Sequence, residues 1–292
     1  PLDQNVQLWT PKFALEYKPA DNQLYYVSAT RGFKSGGWNA RGTVPEALLP
    51  FGPEIVWSYE LGYKSDWLDG RLRANVTAFY TDVADFQIPS AFVQPSGALT
   101  FITQNFADLE VYGLEAEVAY APTDSLTVFA NVGLADAEYE NLSQEVLDDQ
   151  AECRASLDDN PPGEPISGRC GAGIVTLTGE IADPTRVPDY TLNLGATYTI
   201  RLGGYEVVPS GYVYSVGDHV VGTSALPNAV VDGYSEINAG VTFQPAGGPW
   251  FVTAECKNCT DRARVVSNLP PFAYLDDPRQ WGIRAGYRFG QR

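Results

Sequence analysis

The sequence has no methionine, a single histidine (His219) and no apolar run of the ~20 residues that a membrane-crossing helix requires. The missing run excludes a helical membrane protein, and mean hydropathy is slightly negative. Positive charge is scarce: 19 Lys and Arg stand against 36 Asp and Glu, a formal net charge of −17. Phosphate binding needs basic patches, so nucleic acid is excluded as a partner. Charged residues are 19% of the chain, fewer than the ~25% usual for a soluble domain. No Gly-rich phosphate cradle occurs in a strand–helix context. With one His and two distant Cys pairs, a zinc site lacks its third and fourth ligands, and no metal or cofactor is expected. Residue 1 is Pro, and no charged segment leading into an apolar stretch precedes the first strand, so no signal peptide is visible. A processed chain would account for this, but the strand count given below favours a fragment.

What the sequence does contain is glycine (28) and aromatics (17 Tyr, 13 Phe, 6 Trp), arranged with period two. Trp57, Tyr59, Leu61, Tyr63 and Trp67 alternate with Ser58, Glu60, Gly62, Lys64 and Asp66. Such alternation is a strand with one apolar and one polar face. After a turn at Leu68-Asp69-Gly70, the chain returns with Leu72, Ala74, Val76, Ala78 and Tyr80 against Arg71, Arg73, Asn75 and Thr77. The pattern recurs around Tyr112–Tyr120, Leu126–Leu134, Tyr190–Ile200, Ile237–Phe243 and Trp281–Phe289. A soluble sandwich would fill its apolar face with Leu, Val and Phe. Here that face repeatedly ends in Tyr or Trp, and the opposite face carries Glu, Arg, Lys and Gly. Aromatic ends suit membrane interfaces and the polar face suits a wet lumen.

Connections alternate in length. Short ones are expected near 18–23, 68–70, 122–125, 201–204 and 244–249, and long ones near 32–53, 89–99, 140–188, 220–232 and 258–277. Bacterial barrels have short periplasmic turns and long outer loops. That assignment gives about eleven strands with the C-terminus in the periplasm and Pro1 outside. Single-chain barrels have even strand numbers, so an odd count is expected of a chain that begins in mid-barrel. The fold class is therefore all-β, an antiparallel transmembrane β-barrel fragment.

Pro11-Lys-Phe-Ala-Leu-Glu-Tyr-Lys-Pro19 followed by Leu24-Tyr-Tyr-Val-Ser-Ala-Thr-Arg-Gly-Phe-Lys-Ser-Gly-Gly-Trp-Asn39 resembles the C-terminal half of a TonB-dependent outer-membrane receptor. Pro53-Glu54 leading to Tyr59-Glu-Leu-Gly-Tyr-Lys64, and Val111-Tyr-Gly-Leu-Glu-Ala-Glu117, carry the same resemblance. Lys257-Asn-Cys-Thr-Asp261 is similar to the family's N-L-x-D element before its last loop. Two features depart from the family: Phe289 is followed by Gly290-Gln291-Arg292 rather than ending the chain, and Cys256 and Cys259 stand at positions usually apolar.

The resemblance implies a 22-stranded barrel, of which residues 1–292 would be the second half, closed by an N-terminal plug that couples to TonB. It implies TonB-coupled uptake of a scarce metal chelate, most often a ferric siderophore, across the outer membrane of a Gram-negative bacterium. Outer-membrane lipid, lipopolysaccharide and the barrel-assembly machinery follow as partners. A passive porin or other small barrel is the alternative.

No catalytic residues are expected. A nucleophilic triad needs a positioned base and an orienting group, and His219 beside Asp218 is read as a solvated rim residue. Arg31, Lys34 and Trp38 lie near an outer loop, where a chelate's anionic or aromatic groups could dock. Cys153 with Cys170, and Cys256 with Cys259, suit structural disulfides in an oxidising compartment. The acid-rich stretch 136–159 is read as a solvated loop, with calcium binding as its rival. Glu60, Lys64, Arg71, Arg73, Glu115, Glu117, Arg284 and Arg288 are expected to form inter-strand ion pairs and plug contacts on the lumen side.

Overall fold

A computed structural model describes residues 5–39, 50–93, 99–159, 167–222, 229–269 and 272–289. Eleven strands follow one another as neighbours in one antiparallel sheet. They are β1 (Lys12–Ala20), β2 (Gln23–Lys34), β3 (Glu54–Trp67), β4 (Leu72–Val93), β5 (Leu99–Tyr120), β6 (Leu126–Glu140), β7 (Tyr190–Tyr198), β8 (Tyr205–Val216), β9 (Tyr234–Pro245), β10 (Trp250–Lys257) and β11 (Gln280–Tyr287). Ile200–Leu202 extends β7 by pairing with the start of β8. β1 and β11 are edge strands, so the sheet does not close. With an odd number of antiparallel strands, both edges run in the same direction.

The alternation in the sequence becomes the two faces of this sheet. Leu61, Ala78, Leu114, Leu134 and Tyr190 are successive cross-strand partners on one face. Leu61 is 63% exposed, Leu194 51% and Ile283 83%, far more apolar surface than water tolerates across a continuous face. Tyrosines border it at both ends: Tyr59 stacks with Tyr80 at 6.2 Å, and Tyr25 lies 4.6 Å from Tyr63. Near the short turns, Tyr205, Phe243 and Trp250 form a second cluster, with centroids 5.2 and 5.7 Å apart. Ring belts flanking an apolar band mark the two edges of a bilayer.

β4 and β5 have 22 residues each, twice what a tilted strand needs to cross. Where the sequence places a connection near 89–99, both strands continue, to Val93 and from Leu99. The ladder shifts register between Val83 and Phe86, where Asp85 takes a left-handed φ of 55°. This bulge separates the membrane part of the hairpin from the part that projects beyond it.

The projecting part supports a small core of its own. Ile88, Phe106 and Ala107 pack with Val146, Cys153, Cys170, Ile174 and Val175. Val146 and Cys153 belong to helix α1 (Gln144–Asp158), which overturns the reading of 136–159 as a solvated loop. The reason is local: Ser143 caps the helix by accepting a hydrogen bond from the Val146 N–H, and Val146, Asp149 and Cys153 line one buried stripe. The structure joins Cys153 to Cys170, Cα atoms 5.0 Å apart, and Cys256 to Cys259, 5.6 Å apart.

Candidate functional site: the inner wall and its outer rim

The polar face forms a continuous inner wall. Asn75, Glu117, Asn131, Asn193, Tyr214 and Glu236 are successive partners across six strands. Its charges pair less than the sequence implies. Of the eight lumen-side charges expected to form inter-strand pairs, Arg71 pairs with Asp124 (2.6 Å) and Arg73 with Asp66 (2.8 Å), both beside the short turns. Lys64 lies 5.5 Å over the Tyr26 ring, and Arg284 and Arg288 each lie 5.8 Å from the Phe251 ring. Glu117 accepts one hydrogen bond from the Asn75 amide at 3.2 Å. Glu60, Glu115 and Glu255 meet no cation among the described residues. They present free carboxylates to the lumen, and the Asn193 side-chain oxygen is buried there without a partner.

At the outer rim, two of the three residues expected to hold a ligand, Arg31 and Lys34, stand on opposite faces of the sheet. Arg31 is the cross-strand partner of Trp57, so it shares the apolar outer face, and its guanidinium donates to the Trp9 carbonyl at 2.5 Å. Lys34 is on the inner face and pairs with Glu54 at 3.1 Å; its side chain is 59% exposed and that of Glu54 7%. Trp38 lies in a two-residue bridge, Gly37–Trp38 with Pro50–Phe51, above the end of β2.

Glu54 is the centre of a network the sequence did not reveal. The carboxylate that meets Lys34 also accepts the Gln87 backbone N–H at 2.8 Å, and the Gln87 amide donates to the carbonyls of Ser35 and Gly52. Asn105 accepts the Gly52 N–H at 2.6 Å, and Asn39 exchanges two bonds with the Thr103 backbone. The projecting hairpin is thereby fastened to the base of the 35–53 connection.

A second cluster fixes the last connection. Asn258, in a left-handed turn with φ 45°, donates its backbone N–H to the Asn238 side chain and its amide to the carbonyls of Arg262 and Asp277. Asp261 accepts the Arg279 N–H at 2.9 Å. This gives the Asn258 and Asp261 element a physical role: it sets where the chain leaves β10 and re-enters β11. Arg264 bridges Glu236 and Asp276 and lies 4.7 Å over the Tyr234 ring. Alternation cannot find Arg264, because it lies in a connection.

His219 lines a cleft of about 200 Å³ with Asp136, Asp183, Asp189 and Asp218. Its Nδ1 is 2.9 Å from the Gly217 carbonyl, and among the described residues no serine or cysteine lines the cleft to serve as a nucleophile. On α1, Asp149 pairs with Arg169 at 3.2 Å. Burial holds the Asp149 carboxyl above the usual range, with Arg169 opposing the shift. No group of three or more His, Cys, Asp and Glu is arranged to hold a metal among the described residues.

An unclosed antiparallel wall with an apolar, aromatic-bordered outer face and a polar inner face defines a transmembrane β-barrel fragment. Residues 2–259 match the family model described as TonB dependent receptor-like, beta-barrel. The chain belongs to the TonB-dependent receptor family. It is 24% identical over 275 residues to the ferric-pyoverdine M114 receptor PbuA of Pseudomonas sp. (strain M114), covering 93% of this chain and 28% of that protein. Among solved structures it resembles the ferric yersiniabactin uptake receptor FyuA from Yersinia pestis, with TM-score 0.70, 17% identity, and 96% and 37% of the two chains covered. The siderophore receptor PiuA from Acinetobacter baumannii gives TM-score 0.66 and 17% identity over 95% and 35%. The chain thus spans about a third of the length of these relatives.

Proposed function

We infer that residues 1–292 form the C-terminal half of the barrel of an outer-membrane receptor that takes up a ferric siderophore by TonB-coupled active transport. The observation that carries this reading is the inner wall: Glu60, Glu115 and Glu255 face the lumen with no cation beside them among the described residues, as a wall built to meet another protein segment would. In this family that segment is the plug, through which TonB acts. The siderophore receptors among the relatives support a ferric chelate as cargo. The protein works in the outer membrane of a Gram-negative bacterium, with lipid and lipopolysaccharide against the outer face and the long connections outside. Assembly machinery reads the last strand, where Tyr287 and Phe289 pack 4.7 Å apart. The protein carries cargo without making or breaking bonds in it. Of the rim residues, Lys34 and Trp38 stand nearest the mouth and contact the chelate, while Arg31 holds the outer face.

The test is uptake of iron-55 chelates by iron-starved cells producing the complete protein, with and without TonB. Accumulation of one chelate that vanishes without TonB is expected. Equal uptake in both strains, following external concentration, would establish a passive pore instead.

A further inference from the structure

The eleven strands make ten neighbouring pairings, and five are closed by short turns directly at the wall: β1/β2, β3/β4, β5/β6, β7/β8 and β9/β10. A short turn fixes register. Four of the other five pairings are joined through long connections; in β4/β5 only five residues separate the strand ends, but the register shift at Asp85 lies between that turn and the wall and uncouples the two. Alternation supplies only half of the missing information. A one-residue slip would turn apolar residues into the lumen, but a two-residue slip leaves every side chain on its own face.

Four of these five pairings share one feature on the inner wall. Tyr26 faces Gly62, Phe79 faces Gly113, Phe129 faces Gly195 and Phe251 faces Gly286, each pair being direct cross-strand partners. In each the far edge of the ring reaches over the glycine. A Cβ on Gly113 would fall 2.6 Å from the Phe79 ring tip, and nearer still to the Leu134 carbonyl oxygen of the turn-side strand; one on Gly195 would fall 2.5 Å from the Phe129 ring tip, and at Gly62 and Gly286 the approach to the ring is closer than at either. All four rings come from strands running away from the short turns and lean onto the following strand. Tyr26 reaches a third strand, its hydroxyl 3.1 Å from the Thr77 hydroxyl.

The turn-side pairings lack this arrangement. Gly62 meets Thr77 there, Gly113 meets Ala135, and Tyr212 approaches Gly195 through its Cβ with the residue 40% exposed. The exception on the long side is β8/β9, where Ser210 stands opposite Gly240.

We propose that the four ring-on-glycine pairs set the register of those wall pairings that no short turn sets. A two-residue slip would place Phe79 against Val111 or Glu115, whose Cβ atoms would occupy the space the ring takes over Gly113. The pairs therefore discriminate the slips to which alternation is blind, and act while the barrel assembles.

Cysteine pairs in the complete receptor can read the register. Thr81→Cys with Val111→Cys reports the observed pairing. Thr81→Cys with Leu109→Cys, and Asn75→Cys with Ala119→Cys, report two-residue slips in the two directions. In the otherwise unaltered protein only the first pair should cross-link. Phe79→Ala should produce a slipped cross-link and slow assembly about five-fold, the factor that a cross-strand contact of ~1 kcal/mol represents. Leu114→Ala, on the lipid face of the same pairing, should produce no slipped product. If Phe79→Ala blocks assembly altogether, Tyr26→Ala tests the same rule in β2/β3. Its observed register is read by Thr30→Cys with Ser58→Cys, and a slip by Thr30→Cys with Val56→Cys. Native cross-links alone in the ring-less variants, or the same slippage in Leu114→Ala, would overturn the proposal.

Discussion

Replacing Cys153 and Cys170 together by Ala should loosen α1 while leaving the wall intact. The disulfide closes a loop of 17 residues' separation, and the chain-entropy cost of such a loop is about 3 kcal/mol. Little else of comparable size holds the cap. Its core is a handful of side chains, Val146, Ile174 and Val175 against Ile88 and Phe106, with Cys153 fully buried among them. A 15-residue helix is marginal in water on its own. If the opening of α1 is favoured by ~3 kcal/mol, amide exchange in 144–158 should accelerate about a hundred-fold. Exchange in the wall part of β6, residues 128–134, which pair with both β5 and β7 away from the cap, should be unchanged. Hydrogen–deuterium exchange of the complete protein in detergent measures both at once. An acceleration under ten-fold in α1 would refute the claim that the disulfide pins the cap. Equal acceleration in that part of β6 would refute its independence from the wall.

Three further outcomes follow from the same structure. Glu54→Ala should cost about 1–3 kcal/mol, because it leaves the buried Gln87 N–H without an acceptor, whereas Glu54→Gln keeps an acceptor and should cost less than half as much; exchange at residues 85–88 reads the difference. Leu114→Arg should cost ~2–4 kcal/mol by placing a charge in lipid, while Asn131→Arg, on the inner wall near Glu117, should cost almost nothing; urea titration of folding into vesicles compares them. Asp149 has a raised carboxyl in the folded cap, so its contribution favours the cap at low pH and is lost as pH rises through the folded value; Asp149→Asn should flatten that pH dependence of α1 opening, measured by exchange corrected for intrinsic rates.

The sheet was legible in the sequence because a wall between lipid and water imposes one rule on every residue. Trp57, Tyr59, Leu61 and Tyr63 could not alternate with Ser58, Glu60, Gly62 and Lys64 unless their faces met different solvents. The short turns were legible for the same reason, since they interrupt the alternation. The rule stops at the membrane edge. α1 was missed because its stripe is short, with Val146 and Cys153 separated by two turns and acids between them. The β4/β5 extension was missed because Ile88, Phe106 and Ala107 face the cap core and no longer follow a lipid–lumen pattern. The ring-on-glycine pairs join residues 34 to 66 positions apart, and only register reveals them. Arg31 and Lys34 share a neighbourhood in sequence but not a face, because an odd number of strand steps separates them.

The separation of lipid from lumen by one strand step is also the most direct test of the account. Leu194 faces the apolar side and Asn193 the inner wall, one residue apart on β7. All four native cysteines are paired, so Leu194→Cys and Asn193→Cys can each carry a single spin label in the complete protein reconstituted in vesicles. The account predicts that the label at 194 is relaxed by oxygen dissolved in lipid and shielded from a water-soluble nickel chelate, with the label at 193 behaving in the opposite way. Equal exposure of both labels to the aqueous reagent would contradict a membrane-embedded wall, and with it the assignment of this chain to an outer-membrane receptor barrel.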